Sequence, residues 1–266
     1  MNGLVTLLSD FGTQDGYAAA MKGVILGELP GARLVDVTHD VPPQDVLAGA
    51  FALAQAAPFF PTGTVHLAVV DPGVGTARRA LAIEARGSVF VGPDNGLFTF
   101  VTDGASRAWA LDRAPDGWRL HPTFHGRDLF ARVAARLAAG GAPGDFSTGT
   151  VTPERLSLPE PARAGDEWVG EVIHVDRFGN LVTNLRDEQA TDAVEVAGAQ
   201  AVRATTYADV ERGRLVAYLG SAGWIEVGVR DGSAAALLTA TRGARVRARA
   251  RVGPRRHRAR SARKEP

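Results

Sequence analysis

Over the first 140 residues, short apolar runs alternate with longer helical patterns. Residues 4–9 form an apolar run rich in strand-forming side chains, and a helix-like stretch follows at residues 17–29. The same order then repeats, and the pattern predicts strands at 4–9, 33–38, 64–70, 80–84 and 89–91, and helices at 17–29, 45–57 and 129–139. Such alternation predicts an α/β layer with a mixed or parallel sheet.

After Trp168 the pattern contains strands only. Short apolar runs separated by Gly-rich turns predict strands at 169–175, 181–184, 193–196, 215–219, 224–229 and 245–252. This spacing is typical of a small β-barrel or sandwich. Between the two regions, residues 140–161 are rich in Gly, Pro, Ser and Thr, which predicts a linker.

The predicted fold is therefore an N-terminal α/β domain with a central sheet plus a smaller C-terminal all-β, barrel-like domain. The expected boundaries are 1–162 for the α/β domain, 163–252 for the β domain and 253–266 for a basic tail. From Arg242 onward there are 11 Lys and Arg residues and one acid, whereas the preceding 241 residues hold 19 Lys and Arg and 28 acids. Without interleaved aromatic residues, the tail is expected to be solvated and disordered, with no specific nucleic acid as partner.

The amino-acid composition excludes several kinds of site and location. The chain has no cysteine, which excludes disulfides, thiolate metal sites and thiol nucleophiles. The N-terminus lacks the basic region of a signal peptide, and no apolar run approaches membrane-spanning length. We therefore expect a cytoplasmic protein with no membrane partner.

Three aspartates follow strand-like runs in the first domain: Asp10, Asp71 and Asp94. In open α/β sheets, ligands bind beyond the carboxyl ends of the strands. A lone Asp before Gly or Pro more often forms a turn or a helix cap, but three at equivalent positions favour a site.

Three ordered motifs carry the remaining chemistry: Asp71-Pro-Gly-Val-Gly-Thr with Arg78, Phe124-His125-Gly126-Arg127-Asp128, and Asp176-Arg-Phe178-Gly-Asn180. An Asp, an Arg and a His beside glycine turns can hold and polarise one water molecule. From residue 9 to about residue 243, these motifs resemble the S-adenosylmethionine hydroxide adenosyltransferase family, which is related to bacterial chlorinases and fluorinases.

The resemblance implies a role for each matching position. Asp71, Arg78 and His125 correspond to a catalytic triad, and Asp10 corresponds to the residue that holds the ribose hydroxyls. The other matching positions are expected to bind substrate: Phe178 and Asn180 at the adenosine, Asp176 and Ser221 near the methionine end, and also Phe124 and Glu226. The resemblance further implies a homotrimer whose sites lie between the N-domain of one subunit and the C-domain of its neighbour.

Departures from the halogenating relatives predict hydrolysis. Those relatives carry Tyr where this chain has Asp71, and hydroxyl residues where it has Val74 and Gly126. A negative carboxylate repels a halide, so we expect water to attack C5′ in line with sulfur, giving adenosine and L-methionine. The alternatives are a halogenase that uses S-adenosylmethionine, and a non-catalytic protein that binds adenosine or S-adenosylmethionine.

Two details of this mechanism stay open at the level of sequence. The triad member that takes the proton is undecided, and so is the anchor of the methionine carboxylate, because the halogenating relatives have Arg where this chain has Ala222. The cationic sulfur supplies its own electrophilic charge, and the histidines lack the H-x-x-x-H spacing of metal ligands. We therefore expect no cofactor and no metal, with S-adenosylmethionine as substrate.

Overall fold

The computed structural model describes residues 2–115, 117–190 and 192–249. Contacts divide them into two compact units, with the boundary between Ser157 and Leu158. The predicted tail at 253–266 and the end of the last predicted strand lie outside the described residues.

The first unit contains a mixed sheet. Its strands run in the order β2-β1-β3-β5-β4-β6-β7; β2, β1, β3 and β5 are parallel, and β4 and β6 pair antiparallel with their neighbours. The described strands are β1 (Leu4–Ser9), β2 (Arg33–Thr38), β3 (Val65–Val69), β4 (Ala80–Ala85), β5 (Ser88–Pro93), β6 (Arg107–Ala110) and β7 (Thr150–Val151). The predicted α/β layer is confirmed.

Helices cover both faces of this sheet. They are α1 (Tyr17–Glu28), α2 (Val46–Ala56) and α3 (Ala131–Ala138). Buried side chains of α1 and α3 pack on one face of the sheet, and those of α2 pack on the other. Asp45 caps α2 by accepting a hydrogen bond from the backbone N–H of Ala48 at 3.1 Å.

The predicted linker at 140–161 is wrong for residues 143–156, because this segment is built into the unit. It forms a 3₁₀ turn at Pro143–Phe146 and strand β7, and the N–H of Leu156 donates to Thr99 Oγ1 at 2.8 Å. His66 on β3 is buried, and its ring stacks on Phe90 with centroids 4.8 Å apart.

The second unit is a β-barrel. Its sheet runs in the order β10-β14-β13-β12-β11-β15-β9-β8, and pairing of β10 with β9 closes a ring of seven among the described strands. The strands are β8 (Ala162–Ala164), β9 (Glu167–Val175), β10 (Leu181–Thr183), β11 (Ala193–Val196), β12 (Ala199–Arg203), β13 (Leu215–Leu219), β14 (Ile225–Val229) and β15 (Arg245–Arg249). Closure confirms the barrel, and apolar side chains fill its interior.

The prediction that only strands follow Trp168 is wrong, because two 3₁₀ turns and a short α-helix also occur among the described residues of this unit. A short helix, α4 (Ala234–Leu238), begins after Ser233, whose side chain accepts a hydrogen bond from the N–H of Ala236. Five residues are too few to show a helical period, so the pattern gave no signal. No helix among the described residues is long and apolar enough to cross a membrane.

Candidate active site

The parallel strands deliver the predicted aspartates to one edge of the first sheet. Asp10 follows β1, Asp71 lies two residues beyond β3, and Asp94 follows the last residue of β5. Because β1, β3 and β5 are neighbours in the sheet and run parallel, their carboxyl ends meet at this edge. The expected position of these residues beyond the strand ends is confirmed.

Asp71 and Arg78 form a bidentate ion pair. Arg78 Nε donates to Asp71 Oδ1 at 2.8 Å, and Nη2 donates to Oδ2. Both side chains are largely buried, with 5% of Asp71 and 11% of Arg78 exposed. Gly75 has a φ of +77°, and a Cβ there would lie 2.8 Å from the carbonyl oxygen of Pro122. Glycine therefore lets the loop fold back and present Arg78 to Asp71.

The same guanidinium also reaches His125. Arg78 Nη2 lies 3.1 Å from Nδ1 of His125. An arginine only donates hydrogen bonds, so Nδ1 must accept and the ring proton must sit on Nε2. Burial, and then the positive charge of Arg78, lower the pKa of His125, although Asp71 and Asp128 oppose this shift. The structure thus gives a neutral imidazole with an Nε2–H donor.

Asp128 fixes the segment that carries His125. Its carboxylate accepts hydrogen bonds from Arg127 Nε at 2.6 Å and from the backbone N–H of His121 at 2.9 Å. The guanidinium of Arg127 holds the pKa of Asp128 below its usual value. His125 itself directly precedes a π-helical turn at Gly126–Phe130, which leads into α3. The hydrogen bond between His121 and Asp128 therefore holds together the residues on either side of His125.

Phe124 belongs to an aromatic group beside the triad. Its ring packs edge-on against Phe11 and Tyr17, with centroids 5.8 Å and 5.4 Å away. Together with polar neighbours, these rings line a cavity of about 410 Å³. Sequence reasoning missed Phe11 and Tyr17, although Phe11 directly follows Asp10.

Asp10 and Asp94 differ from Asp71 in their partners. Asp10 Oδ2 accepts a hydrogen bond from the backbone N–H of Gln44 at 2.8 Å. Asp94 is buried, pairs with Arg79 at 2.7 Å and accepts the N–H of Glu154 at 2.7 Å. Asp94 thus holds the 143–156 segment onto the sheet, which is a structural role.

In the second unit, Asp176 organises the turn before β10. Its Oδ1 accepts the backbone N–H of Phe178 at 2.9 Å and that of Asn180 at 2.8 Å, and its Oδ2 accepts Asn180 Nδ2 at 2.7 Å. Gly179, with a φ of +80°, packs directly against Ser233, so no larger residue fits. The turn leaves the ring of Phe178 76% exposed. A large exposed aromatic side chain is a common mark of a binding surface.

Glu226 lies on β14 in a half-buried chain of hydrogen bonds. Tyr218 OH donates to Glu226 Oε2 at 3.0 Å, and the hydroxyl groups of Tyr207 and Tyr218 are 2.5 Å apart. Burial raises the pKa of Glu226; the hydrogen bond from Tyr218 opposes this rise, and the charge of Asp176 adds to it. Ser221 is exposed on the turn between β13 and β14. Sequence reasoning missed both tyrosines, because nothing in the local pattern signals this contact.

The predicted site residues therefore form two groups, each within its own unit. Asp71, Arg78 and His125 are in contact in the first. In the second, Asp176 and Asn180 are hydrogen-bonded, and the charge of Asp176 acts on Glu226. Across the described residues, no three His, Asp or Glu side chains gather as metal ligands. The absence of a cofactor stays a prediction.

An α/β unit with an Asp-Arg-His cluster beyond its strand ends, followed by a closed barrel, defines a class of two-domain enzymes. Residues 5–147 match the SAM hydroxide adenosyltransferase N-terminal domain, and residues 170–247 match the C-terminal domain of the same family. The chain belongs to the SAM hydroxide adenosyltransferase family.

Relatives of known name agree with this assignment. The chain is 45% identical over 253 residues to an (R)-S-adenosyl-L-methionine hydrolase of Thermus thermophilus, covering 91% of this chain and 98% of the relative. A fluorinase of an Actinoplanes species is more distant, at 31% identity over 219 residues, covering 69% of this chain and 72% of the fluorinase. A crystal structure of a conserved protein from Thermotoga maritima superposes with a TM-score of 0.81 at 31% identity, covering 91% and 98% of the two chains.

Proposed function

We propose that this protein hydrolyses S-adenosyl-L-methionine at C5′. A water oxygen forms the new C5′–O bond as the C5′–S bond breaks, so the products are adenosine, L-methionine and one proton. The observation that carries this proposal is the position of Arg78, which donates to both Asp71 and His125. Named hydrolases at 45% and 43% identity support the same reaction.

Displacement at C5′ requires an activated nucleophile but no general acid. The sulfonium carries its own positive charge and leaves as a neutral thioether, so nothing has to protonate it. Water is a very weak acid, and a site that favours hydroxide must offer positive charge and hydrogen-bond donors. Arg78 supplies the fixed charge, and His125 donates from Nε2–H toward the attacking oxygen.

Asp71 is the group that accepts the proton in this scheme. His125 cannot be the base in the observed arrangement, because its Nδ1 lone pair already accepts from Arg78 and its Nε2 carries the proton. Asp71 is the anion of the three and lies beyond the end of β3. The same negative charge disfavours a halide, and Val74 and Gly126 provide no hydroxyl group to solvate one.

The second unit would bind the rest of the substrate. Phe178 presents an exposed ring on which adenine can stack, and Asn180 lies beside it in the turn held by Asp176. Asp176, Ser221 and Glu226 would bind the methionine end. In the first unit, Asp10 would bind the ribose hydroxyls, and Phe124 would also contact the substrate. This binding requires no metal and no cofactor.

We further propose a homotrimer in which each site combines the first unit of one subunit with the second unit of its neighbour. Family resemblance supports this arrangement, whereas the cytoplasmic location without specific nucleic-acid or membrane partners stays a prediction. Light scattering tests the trimer directly, since a monomer has a mass of 27.9 kDa.

Product analysis tests the reaction. Purified protein is incubated with S-adenosylmethionine in chloride-containing buffer, and adenosine, methionine and any 5′-chloro-5′-deoxyadenosine are quantified by chromatography. We expect equal amounts of adenosine and methionine and no chlorinated nucleoside. Adenosine no higher than in an Asp71→Ala control would reject hydrolysis and leave a binding protein; a chlorinated product would indicate a halogenase.

A further inference from the structure

The turn between β13 and β14 has groups of opposite charge at its two ends. Gly220 packs directly against the carboxylate of Glu226, whereas a Cβ on Gly223 would lie 3.5 Å from Nη1 of Arg186. The N–H of Gly223 donates to the carbonyl oxygen of Gly220 at 2.9 Å, so the two ends are close together. Ser221 and Ala222 lie exposed between them.

Arg186 is held at this turn by both backbone and side-chain contacts. The carbonyl oxygen of Leu185 accepts the N–H of Ile225 at 2.9 Å, which fixes the neighbouring Arg186 beside the turn. The guanidinium carbon lies 3.3 Å from the centre of the Trp224 ring, and Nη1 donates to the carbonyl oxygen of Gly223 at 3.0 Å. Stacking and hydrogen bonding together orient the planar cation.

Neither of these partners is a carboxylate, which is the group that a guanidinium binds best. In the described part of the chain, the contacts of the guanidinium are a ring and a carbonyl oxygen, and Glu188 adds only a longer-range attraction. Partial burial lowers the pKa of Arg186, which reflects its loss of water. A desolvated guanidinium with remaining N–H donors is a strong site for a carboxylate, because two parallel hydrogen bonds match its shape.

We propose that Arg186 binds the α-carboxylate of the methionine part of the substrate, while the acidic group of Glu226 and Asp176 faces its ammonium. The inference rests on the proposed function, which supplies a substrate with an amino-acid end. An ammonium and a carboxylate on one carbon are separated by a few ångströms, as are the two ends of this turn. Ala222 has no charge, so Arg186 provides the cation that the turn itself lacks.

A substrate without the carboxylate separates this role from a structural one. The specificity constant kcat/KM is measured for S-adenosylmethionine and for its decarboxylated analogue, with wild type and with Arg186→Gln. We expect the substitution to lower kcat/KM for S-adenosylmethionine by about 10- to 100-fold, mainly through KM, because a charge-assisted pair is lost. For the decarboxylated analogue we expect a change of less than about threefold.

Arg230→Gln is the matched control. Arg230 also bonds a carbonyl oxygen in the same barrel, that of Val210 at 2.8 Å, but it lies outside the proposed site. We expect its kinetics with both substrates to equal those of wild type. Arg186→Lys, which keeps the charge but not the planar fork, should recover part of the loss.

Two results would overturn the proposal. One is an equal loss for both substrates in Arg186→Gln, which would make Arg186 a support for the turn; the other is no loss for either. If Arg186→Gln does not fold, the comparison is made with wild type and Arg186→Lys. The kcat/KM of wild type for S-adenosylmethionine should exceed that for the decarboxylated analogue at least about tenfold, and Arg186→Lys should reduce this ratio. Failure of wild type to form adenosine would instead reject the proposed function.

Discussion

Arg78 Nη2 donates a hydrogen bond to Nδ1 of His125 over 3.1 Å while the same guanidinium binds Asp71 through two hydrogen bonds. This relationship assigns the ring proton of His125 to Nε2. In the proposed reaction, His125 would therefore donate to the attacking oxygen, and Asp71 would accept the proton.

Substitutions at His125 separate a donor from a base. Glutamine can place an N–H near the position of Nε2, whereas phenylalanine cannot. We expect His125→Gln to retain most of kcat, within about tenfold, and His125→Phe to lose about 100- to 1000-fold, as when one oxyanion donor is removed. Steady-state kinetics measures both. Equal losses in the two variants would assign His125 the role of base.

The pH dependence of the reaction follows from the lowered pKa of His125. Burial and the charge of Arg78 both disfavour the imidazolium, which could no longer accept from Arg78. Activity is thus fully present above the ordinary value of 6.5 and is lost as the pH falls through the lower folded value. We expect kcat/KM to be constant from pH 8 down through 6.5. A half-maximal point at or above 6.5 would contradict a neutral, shielded imidazole.

Two aspartates beyond neighbouring strands form a matched pair for mutagenesis. Asp71→Asn removes the proposed base and weakens the bidentate hold on Arg78, so we expect kcat to fall by about 100- to 10,000-fold. Asp94→Asn weakens the bonds to Arg79 and Glu154, so we expect an unfolding free energy lower by about 1–3 kcal/mol with kcat nearly unchanged. Kinetics and thermal denaturation measure both variants. The reverse pattern would place the chemistry at Asp94.

Mixed oligomers test whether two subunits share each site. Asp71→Ala disables the first unit and Asn180→Ala the second, so each variant alone should be inactive. If sites form between subunits, co-refolded mixtures contain some sites with both intact halves, and activity should return to a measurable fraction of wild type. A mixture as inactive as its components, despite exchange of subunits shown by native mass spectrometry, would place each site within one chain.

Much of the architecture could be predicted because it depends on local patterns. Apolar runs ending at Asp10, Asp71 and Asp94 indicated strands whose carboxyl ends form a site, and the structure confirms their common edge. The strand predicted at 64–70 was likewise confirmed as β3 (Val65–Val69). Periodicity reports such elements well, since each follows from side chains adjacent in sequence.

What the sequence could not show depends on partners far along the chain. The N–H of Leu156 finds its acceptor at Thr99, so a Gly- and Pro-rich segment that resembles a linker is instead fixed to the sheet. Tyr218 meets Glu226 only because β13 and β14 pair. The contact of Arg78 with His125 joins residues 47 positions apart, and it decides the tautomer.

The source of the oxygen in the product tests the central claim most directly. The protein is incubated with S-adenosylmethionine in water enriched in ¹⁸O, and the adenosine formed is analysed by mass spectrometry with fragmentation. Hydrolysis at C5′ predicts one heavy oxygen in the 5′-hydroxyl group, with none in the methionine carboxylate. Adenosine without the label, or label in any other position, would contradict attack of water at C5′.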